Sequence, residues 1–306
     1  MKAVLHDLDF IFSNSCNLKC PYCDHTYLYR NKTFTHINFD EIYLSMVTPL
    51  IEKTKIVSLS GGEPGILNRE FVTNFLEFLD SHNNDFSLYI YTNGLFIDRY
   101  IHLLTTFKHK VRIIWHLAPE PSEIHIEKAK TYLKYSFPII AHVVLHKHNI
   151  EYLKHFLIQW KKILPTFPIR VGLFTSNEKF LRERFEVKSE DVLDFSDFCA
   201  VHKIDFIFKF SKLLKVQPKM DYCIRKFCFF NRSNLIVDFE EKQFIRCCWM
   251  DPQRAISFEE FNDENLRDKF LNDFSYDACK SCNHCLYDLK DPYLLKWLRS
   301  CLLNGK

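Results

Sequence analysis

Three cysteines, Cys16, Cys20 and Cys23, fall within eight residues at intervals of four and three. Thiolates set this closely let one short loop wrap a metal centre. A cubane iron–sulfur cluster held by only three of them keeps one iron open to an outside ligand. A Cys3His zinc site completed by His25 meets the same spacing, and three unligated thiols are the bland alternative. A second stretch carries different chemistry. The chain has six glycines, and three of them lie in Gly61-Gly62-Glu63-Pro64-Gly65, after the apolar run Lys55–Ser60. That order reads as a strand entering a turn. Glycines let a backbone approach a ligand and expose its carbonyls. Pro64 holds Glu63 extended, which aims its carboxylate into the same space. Carbonyl oxygens and a carboxylate suit an ammonium group, whereas a phosphate needs donors.

Both stretches need a scaffold to bring them together. A chain of 306 residues with 47% hydrophobic content and 30 Phe has ample material for a large core and for two domains. A net charge of +3 is too small to indicate a nucleic-acid partner. Phe137–Leu145 is the longest apolar run; His142 interrupts it, and no membrane span is expected. His6, Asp7 and Asp9 break any signal-peptide apolar region, so the 12 cysteines point to a reducing, cytoplasmic setting and to metal ligation.

Strand and helix patterns alternate through the first two-thirds. Strands are predicted at Asp9–Ser13, Lys55–Ser60, Phe86–Tyr91, Val111–Leu117, Ile139–Leu145 and Ile169–Phe174. Helices are predicted at Phe39–Lys53, Asn68–Asp80, Ile97–Phe107, Ser122–Tyr135 and Asn149–Leu164. This alternation implies a parallel sheet with helical crossovers. Glu178–Phe198 leans to helix. Cysteine usage then changes: three precede residue 199 and nine follow from Cys199 onward. Asn234–Asp238 and Gln243–Cys247 read as a hairpin flanked by Cys228 and Cys247, with Cys279, Cys282 and Cys285 downstream and Cys301 in a final amphipathic helix. Paired cysteines at such spacing hold either structural zinc or an iron–sulfur cluster. Cys199, Cys248 and Cys301 read as packing residues.

The cysteine triplet, with Tyr22 before its third member and Gly61-Gly62-Glu63-Pro64 after it, resembles the radical S-adenosylmethionine (SAM) enzymes. That resemblance implies a [4Fe–4S] cluster on Cys16, Cys20 and Cys23 whose open iron chelates the amino and carboxylate groups of SAM. It makes Gly61, Gly62 and Glu63 the receptor of the SAM ammonium, and adds Tyr22, Asn93 and His116 as cofactor-binding candidates. The six strand–helix units are similar to that family's partial (β/α)6 TIM-like barrel, whose chemistry lies at the C-terminal strand ends. The fold class expected is therefore α/β: this barrel over residues 1–200, then a small cysteine-rich α+β domain over 201–306. The second part resembles the twitch domain, a shortened SPASM domain. The likeness implies an auxiliary [4Fe–4S] cluster on Cys228, Cys247, Cys279 and Cys282, with Cys223 or Cys285 as substitutes. Relatives usually place Gly in the hairpin turn, where this chain has Glu240-Glu241-Lys242.

The implied reaction is reductive cleavage of SAM to a 5′-deoxyadenosyl radical, which removes a substrate hydrogen. An external one-electron donor of flavodoxin or ferredoxin type is implied with it. The leading substrate expectation is a peptide, oxidatively modified as by a maturase of ribosomally made peptides; a sugar or aminocyclitol is the alternative. The chain starts at its first strand, which leaves no room for a leader-binding domain and counts against the peptide. A zinc-binding interaction protein is the remote third reading. At other strand ends, Asn93-Gly94 reads equally as a plain turn, and His116 as a structural histidine. His142, His146 and His148 share one side by period two and are candidates to line a cavity. Arg170 needs a buried partner, with Glu63, another acid or the SAM carboxylate as the choices.

Overall fold

The computed structural model describes residues 7–23, 41–174, 179–207, 234–246 and 255–272. Cys223, Cys228, Cys247, Cys248, Cys279, Cys282, Cys285 and Cys301 lie outside these, as does His25. The described chain runs β1 (Asp7–Ile11), α1 (Glu41–Ile51), β2 (Ile56–Ser60), α2 (Arg69–Asp80), β3 (Ser87–Thr92) and α3 (Leu95–Tyr100). It continues through β4 (Lys110–His116), α4 (Glu123–Tyr132), β5 (Ile139–Leu145), α5 (Ile150–Ile163), β6 (Ile169–Leu173), α6 (Lys179–Phe185) and α7 (Ser189–Val201). Last come β7 (Asp205–Ile207), β8 (Asn234–Asp238), β9 (Gln243–Arg246), β10 (Ala255–Ser257), α8 (Phe258–Asn262) and α9 (Glu264–Asn272).

The ten strands among the described residues form one sheet in the order β10-β9-β8-β1-β2-β3-β4-β5-β6-β7. Neighbours from β8 through β1 to β7 are parallel, and β9 and β10 add antiparallel strands at the β8 edge. The result is an α/β fold with a mostly parallel sheet, consistent with a partial TIM-like barrel. The predicted hairpin is present as β8 and β9. Strands on both sides of residue 200 share this sheet, because β7 pairs with β6 and β8 pairs with β1.

Alternation along the strands separates two faces. Leu8, Phe10, Leu59, Leu88, Ile90 and Trp115 are buried in the main core. Phe10 meets Phe75 of α2 at 5.2 Å between ring centres, and Phe12 meets Phe71 at 4.7 Å. Helix α2 presents Phe71, Val72, Phe75, Leu76 and Leu79 as one buried stripe, and Asn68 caps it by accepting from the Phe71 N–H at 2.6 Å. The opposite, inner face carries Asp9, Ser60, Tyr91, His116, His142 and Arg170. A barrel interior filled only by packing would be apolar, so this one is built to hold polar contents.

Two of the boundaries that differ from expectation show their physical reasons plainly. β1 stops at Ile11 because the Ser13 and Ser15 carbonyls accept from the Gly62 and Glu63 N–H groups at 2.9 and 2.8 Å. The helix predicted at Ile97–Phe107 starts earlier, at Leu95, and tightens into a 3-10 segment at Ile101–Thr105. Gly94, at φ 108°, lets the chain turn from β3 directly into α3.

Candidate active site

The cysteine loop leaves the C-terminal end of β1. Phe12 anchors its start in the core, Ser13 and Asn14 are buried, and Cys16 emerges at the surface. The Cys23 N–H donates to the Cys20 carbonyl at 3.1 Å, closing a turn that folds the second and third cysteines together. The Cys16 sulfur accepts from the Leu18 N–H at 3.4 Å and from Asn93 Nδ2 at 3.5 Å. Burial and the nearby Cys23 and Cys16 sulfurs push the Cys20 thiol up to about 12. The loop around the Cys16 sulfur raises that thiol as well, helped by Glu63 and Cys23, although the residue's surface is open.

Three thiols that oppose one another's ionisation are a donor set that a cationic centre would ionise together. Among the described residues, no three His, Cys, Asp or Glu side chains are gathered as a single metal ion needs. Buried polar atoms without partners also lie in this loop: both side-chain atoms of Asn14 and the Ser15 hydroxyl. Donor chemistry and orphaned atoms together fit an iron–sulfur cluster.

The glycine turn leaves the end of β2 and is pressed against the loop. A Cβ at Gly62 would lie 1.9 Å from the Ser15 carbonyl oxygen, and one at Gly61 would lie 2.6 Å from that of Ser13. Gly61 also sits at φ 103°. Neither position admits a side chain. Glu63 is 1% exposed, and its carboxylate turns inward instead of into open space. Its Oε1 accepts from the Gly65 N–H and the Thr92 hydroxyl, both at 2.7 Å, and Oε2 accepts from the Asn93 N–H at 2.6 Å. A carboxylate placed out of water takes the nearest donors, and these belong to its own turn and to the exit of β3. Burial raises its pKa, while the donors from Asn93, Thr92 and Gly65 hold it down.

Asn93 binds the three strand ends together. Its N–H serves Glu63, its side-chain amide reaches Cys16 and, at 2.8 Å, the Asn17 Oδ1, and its carbonyl accepts from Trp115 Nε1 at 3.2 Å. Asn93-Gly94 is thus a turn and also a contact to the cysteine loop. Tyr22 lies beside Cys20 and Cys23 but packs into the aromatic group of His146, Phe174 and Phe185, at 5.3, 6.3 and 6.3 Å.

His116 sits on the inner face, its ring 4.6 Å from His142 and 6.2 Å from Tyr91. Burial lowers the His116 pKa to about 4 and takes His142 well below its ordinary value, so both rings are neutral. His142 alone of its trio faces inward from within the strand. His146 lies beyond the end of β5, buried beside Tyr22, and His148 is exposed with Nε2 at 2.8 Å from the Arg184 carbonyl. Arg170 is half-buried and pairs with Asp205 on the neighbouring strand, Nε to Oδ2 3.1 Å, not with Glu63. Cys199 is a core residue at 1% exposure.

Several contributors escaped the sequence reading. Thr92 joins Glu63 to α3, accepting from the Gly94 and Phe96 N–H groups at 3.0 and 3.2 Å. Nothing in its type or position announces that. Asp7 and Asp9 did leave a signal, as acids alternating with Leu8 and Phe10 on a strand whose other face is core. Burial and the neighbouring Asp7 raise the Asp9 carboxyl to about 7, and its Oδ1 is buried without a partner. Glu240, in the hairpin turn, accepts from the Asn14 N–H at 2.6 Å.

Residues 10–158 match the profile of the Radical SAM superfamily. A comparison with curated protein sequences finds no match. Among solved structures, Streptococcus suis SuiB bound to S-adenosylmethionine is similar, with a TM-score of 0.63 and 16% identity over 91% of this chain and 68% of that one. His6-tagged anSMEcpe with bound AdoMet gives 0.57 and 17%, over 87% and 82%. Native anSMEcpe with bound AdoMet and the Cp18Cys peptide gives 0.56 and 18%, over 90% and 86%. At these identities the structures establish a shared fold. The family profile runs from the end of β1 through the cysteine loop and the glycine turn to β5, the parts whose geometry converges above. The chain is therefore an enzyme that carries a Radical SAM superfamily domain over residues 10–158.

Proposed function

We propose that this enzyme oxidatively modifies a peptide. Cys16, Cys20 and Cys23 would hold the [4Fe–4S] cluster, and the carbonyls of the Gly61-Gly62 turn with Glu63, Asn93, Tyr22 and His116 would receive SAM. When bound and reduced, the cluster and SAM supply a 5′-deoxyadenosyl radical, which removes a hydrogen atom from a substrate C–H bond. The chain's own work is placement and exclusion. The Thr92–Glu63–Asn93 hydrogen bonds hold the two loops in register. The Phe174 and Phe185 rings close the side beside Tyr22. Tyr91, His116 and His142 offer the substrate uncharged hydrogen-bonding groups at neutral pH.

The observation that carries this reading is the meeting of Cys16, Asn93, Glu63 and Gly62 at the C-terminal ends of three adjacent parallel strands. A net oxidation needs a further electron acceptor. Residues 201–306 supply a donor set for one in Cys228, Cys247, Cys279 and Cys282, with Cys223 or Cys285 in reserve, as in a twitch-type domain following a barrel of residues 1–200. A peptide substrate is supported by the fold's likeness to anSMEcpe, which holds AdoMet and a peptide together.

The test is iron, sulfide and zinc content of anaerobically purified protein, wild type beside a Cys16/Cys20/Cys23 triple Ala variant. It is paired with 5′-deoxyadenosine formation in the presence of a chemical reductant. The expected result is that the triple variant loses SAM cleavage and keeps about one cubane of iron. Zinc retained in place of that iron overturns the auxiliary cluster. Cysteine-containing peptides that raise 5′-deoxyadenosine above the substrate-free rate and lose two hydrogens in mass support the peptide reading; stimulation only by sugars or aminocyclitols replaces it.

A further inference from the structure

The run Ile11–Ser15, which delivers Cys16 to the surface, is gripped from two sides. On one side stands the turn after β2, through the Gly62 and Glu63 N–H groups. On the other stands the β8–β9 turn, more than two hundred residues away in sequence. There the Phe239 N–H donates to the Ile11 carbonyl at 2.8 Å, and the Phe239 ring lies 4.7 Å from Phe12 and 6.1 Å from Phe10. Glu240 completes the grip, its Oε2 accepting from the Asn14 N–H at 2.6 Å. Asn14 is 2% exposed, so no water replaces that acceptor without the loop moving.

The hairpin turn is built to hold Glu240 in this place. Buried Asp238 accepts from the Glu240 and Glu241 N–H groups through Oδ1, both at 3.0 Å, and Lys242 takes the left-handed conformation at φ 51° that ends the turn. A carboxylate fixed by its own turn and aimed at one backbone N–H is a positioning device, because the charge-assisted bond fixes where the N–H points. We propose that Glu240 is a positioning residue for the cysteine loop, so that the hairpin beyond the barrel sets the geometry in which Cys16 meets its cofactor. This rests on the cluster assignment above only for its consequence; the positioning itself rests on the hydrogen bonds from the hairpin turn to Ile11 and Asn14.

The test uses the full chain in two forms. In metal-free protein, amide hydrogen exchange is followed at Asn14–Cys16 for wild type, Glu240→Ala and Glu240→Gln. Exchange there should quicken roughly tenfold or more in the Ala variant. It should recover most of the way in the Gln variant, whose amide oxygen still accepts. Amides of β4 should be unmoved, which separates local positioning from general loosening. In reconstituted protein, iron loss to a chelator should be faster for Ala than for Gln, with thermal midpoints alike. Unchanged exchange at Asn14 in Glu240→Ala overturns the proposal, as does uniform quickening across the sheet. Faster exchange with no change in iron loss overturns the link to the cofactor and leaves the radical SAM assignment, tested by SAM cleavage in wild type, untouched.

Discussion

Thr92→Val replaces a buried hydroxyl by a methyl of nearly the same volume and should disable the site without collapsing the barrel. The Thr92 hydroxyl donates to Glu63 Oε1 at 2.7 Å and accepts from the Gly94 and Phe96 N–H groups. Removing it strips one charge-assisted hydrogen bond from a carboxylate that is 1% exposed and orphans the Gly94 N–H. Each loss is of order 1–3 kcal/mol, and because the groups share one network the total should be about 3 kcal/mol, not a simple sum. The deficit also depends on pH. Burial raises the folded-state pKa of Glu63 above its ordinary 4.5, and the Thr92 donor opposes that rise. Without the donor the pKa climbs further. A carboxyl whose folded pKa is raised costs stability when ionised, so the variant's extra cost is present above that pKa and fades as pH falls toward 4.5 and below. Denaturant unfolding of the metal-free protein at pH 8 and pH 5, with SAM binding to the reconstituted enzyme, measures both effects. Thr92→Ser, which keeps the hydroxyl, should stay near wild type. A valine variant that binds and cleaves SAM normally, or whose deficit is the same at both pH values, refutes the role given to this network.

Three further outcomes follow from the same geometry. Gly62→Ala puts a methyl 1.9 Å from the Ser15 carbonyl and forces the two loops apart by roughly 1.5 Å, which should cut reductive SAM cleavage at least about 100-fold while far-ultraviolet circular dichroism is unchanged. Asp9→Asn should stabilise the chain at pH 8 by up to about 4 kcal/mol: wild type loses stability as pH rises from 3.8, the ordinary value of this carboxyl, to about 7, where burial places it. A flat difference across that window in urea unfolding would contradict the burial argument. Gly172→Ala brings a Cβ within 2.6 Å of His142 Nε2, and the ring tip must swing toward His116. The cost in stability should be about 1–3 kcal/mol, because a buried ring must move, while the ring proton signals of both histidines shift in nuclear magnetic resonance spectra.

What was legible in the sequence followed from local chemistry. Ile139–Leu145 could be read residue for residue because it is an apolar run, broken only by His142, that begins directly after Pro138. Alternation of such runs with amphipathic helices carried the sheet's direction. The cysteine loop and glycine turn stood out because both chemistries need rare residues at short spacing. Partnerships across the sheet were not legible, since they depend on register. Arg170 finds Asp205 because β7 lies beside β6 in one particular alignment, and a single strand's periodicity says nothing of its neighbour's. Glu63 illustrates the same limit within a motif. Its type and place predicted an acceptor near the cofactor, yet the direction of its carboxylate was decided by Thr92 and Asn93 on a strand thirty residues away.

The departure at the hairpin turn belongs to the same class. At the β8–β9 turn the left-handed residue is Lys242, and Glu240 reaches the Asn14 N–H. Read alone, Glu240-Glu241-Lys242 puts the alignment of the flanking cysteines in doubt. Read with β8 parallel to β1, it places a carboxylate beside the buried Asn14 N–H. An irregularity in a motif is thus informative only once the register of its strands is known, because register decides which backbone group the substituted side chain can serve.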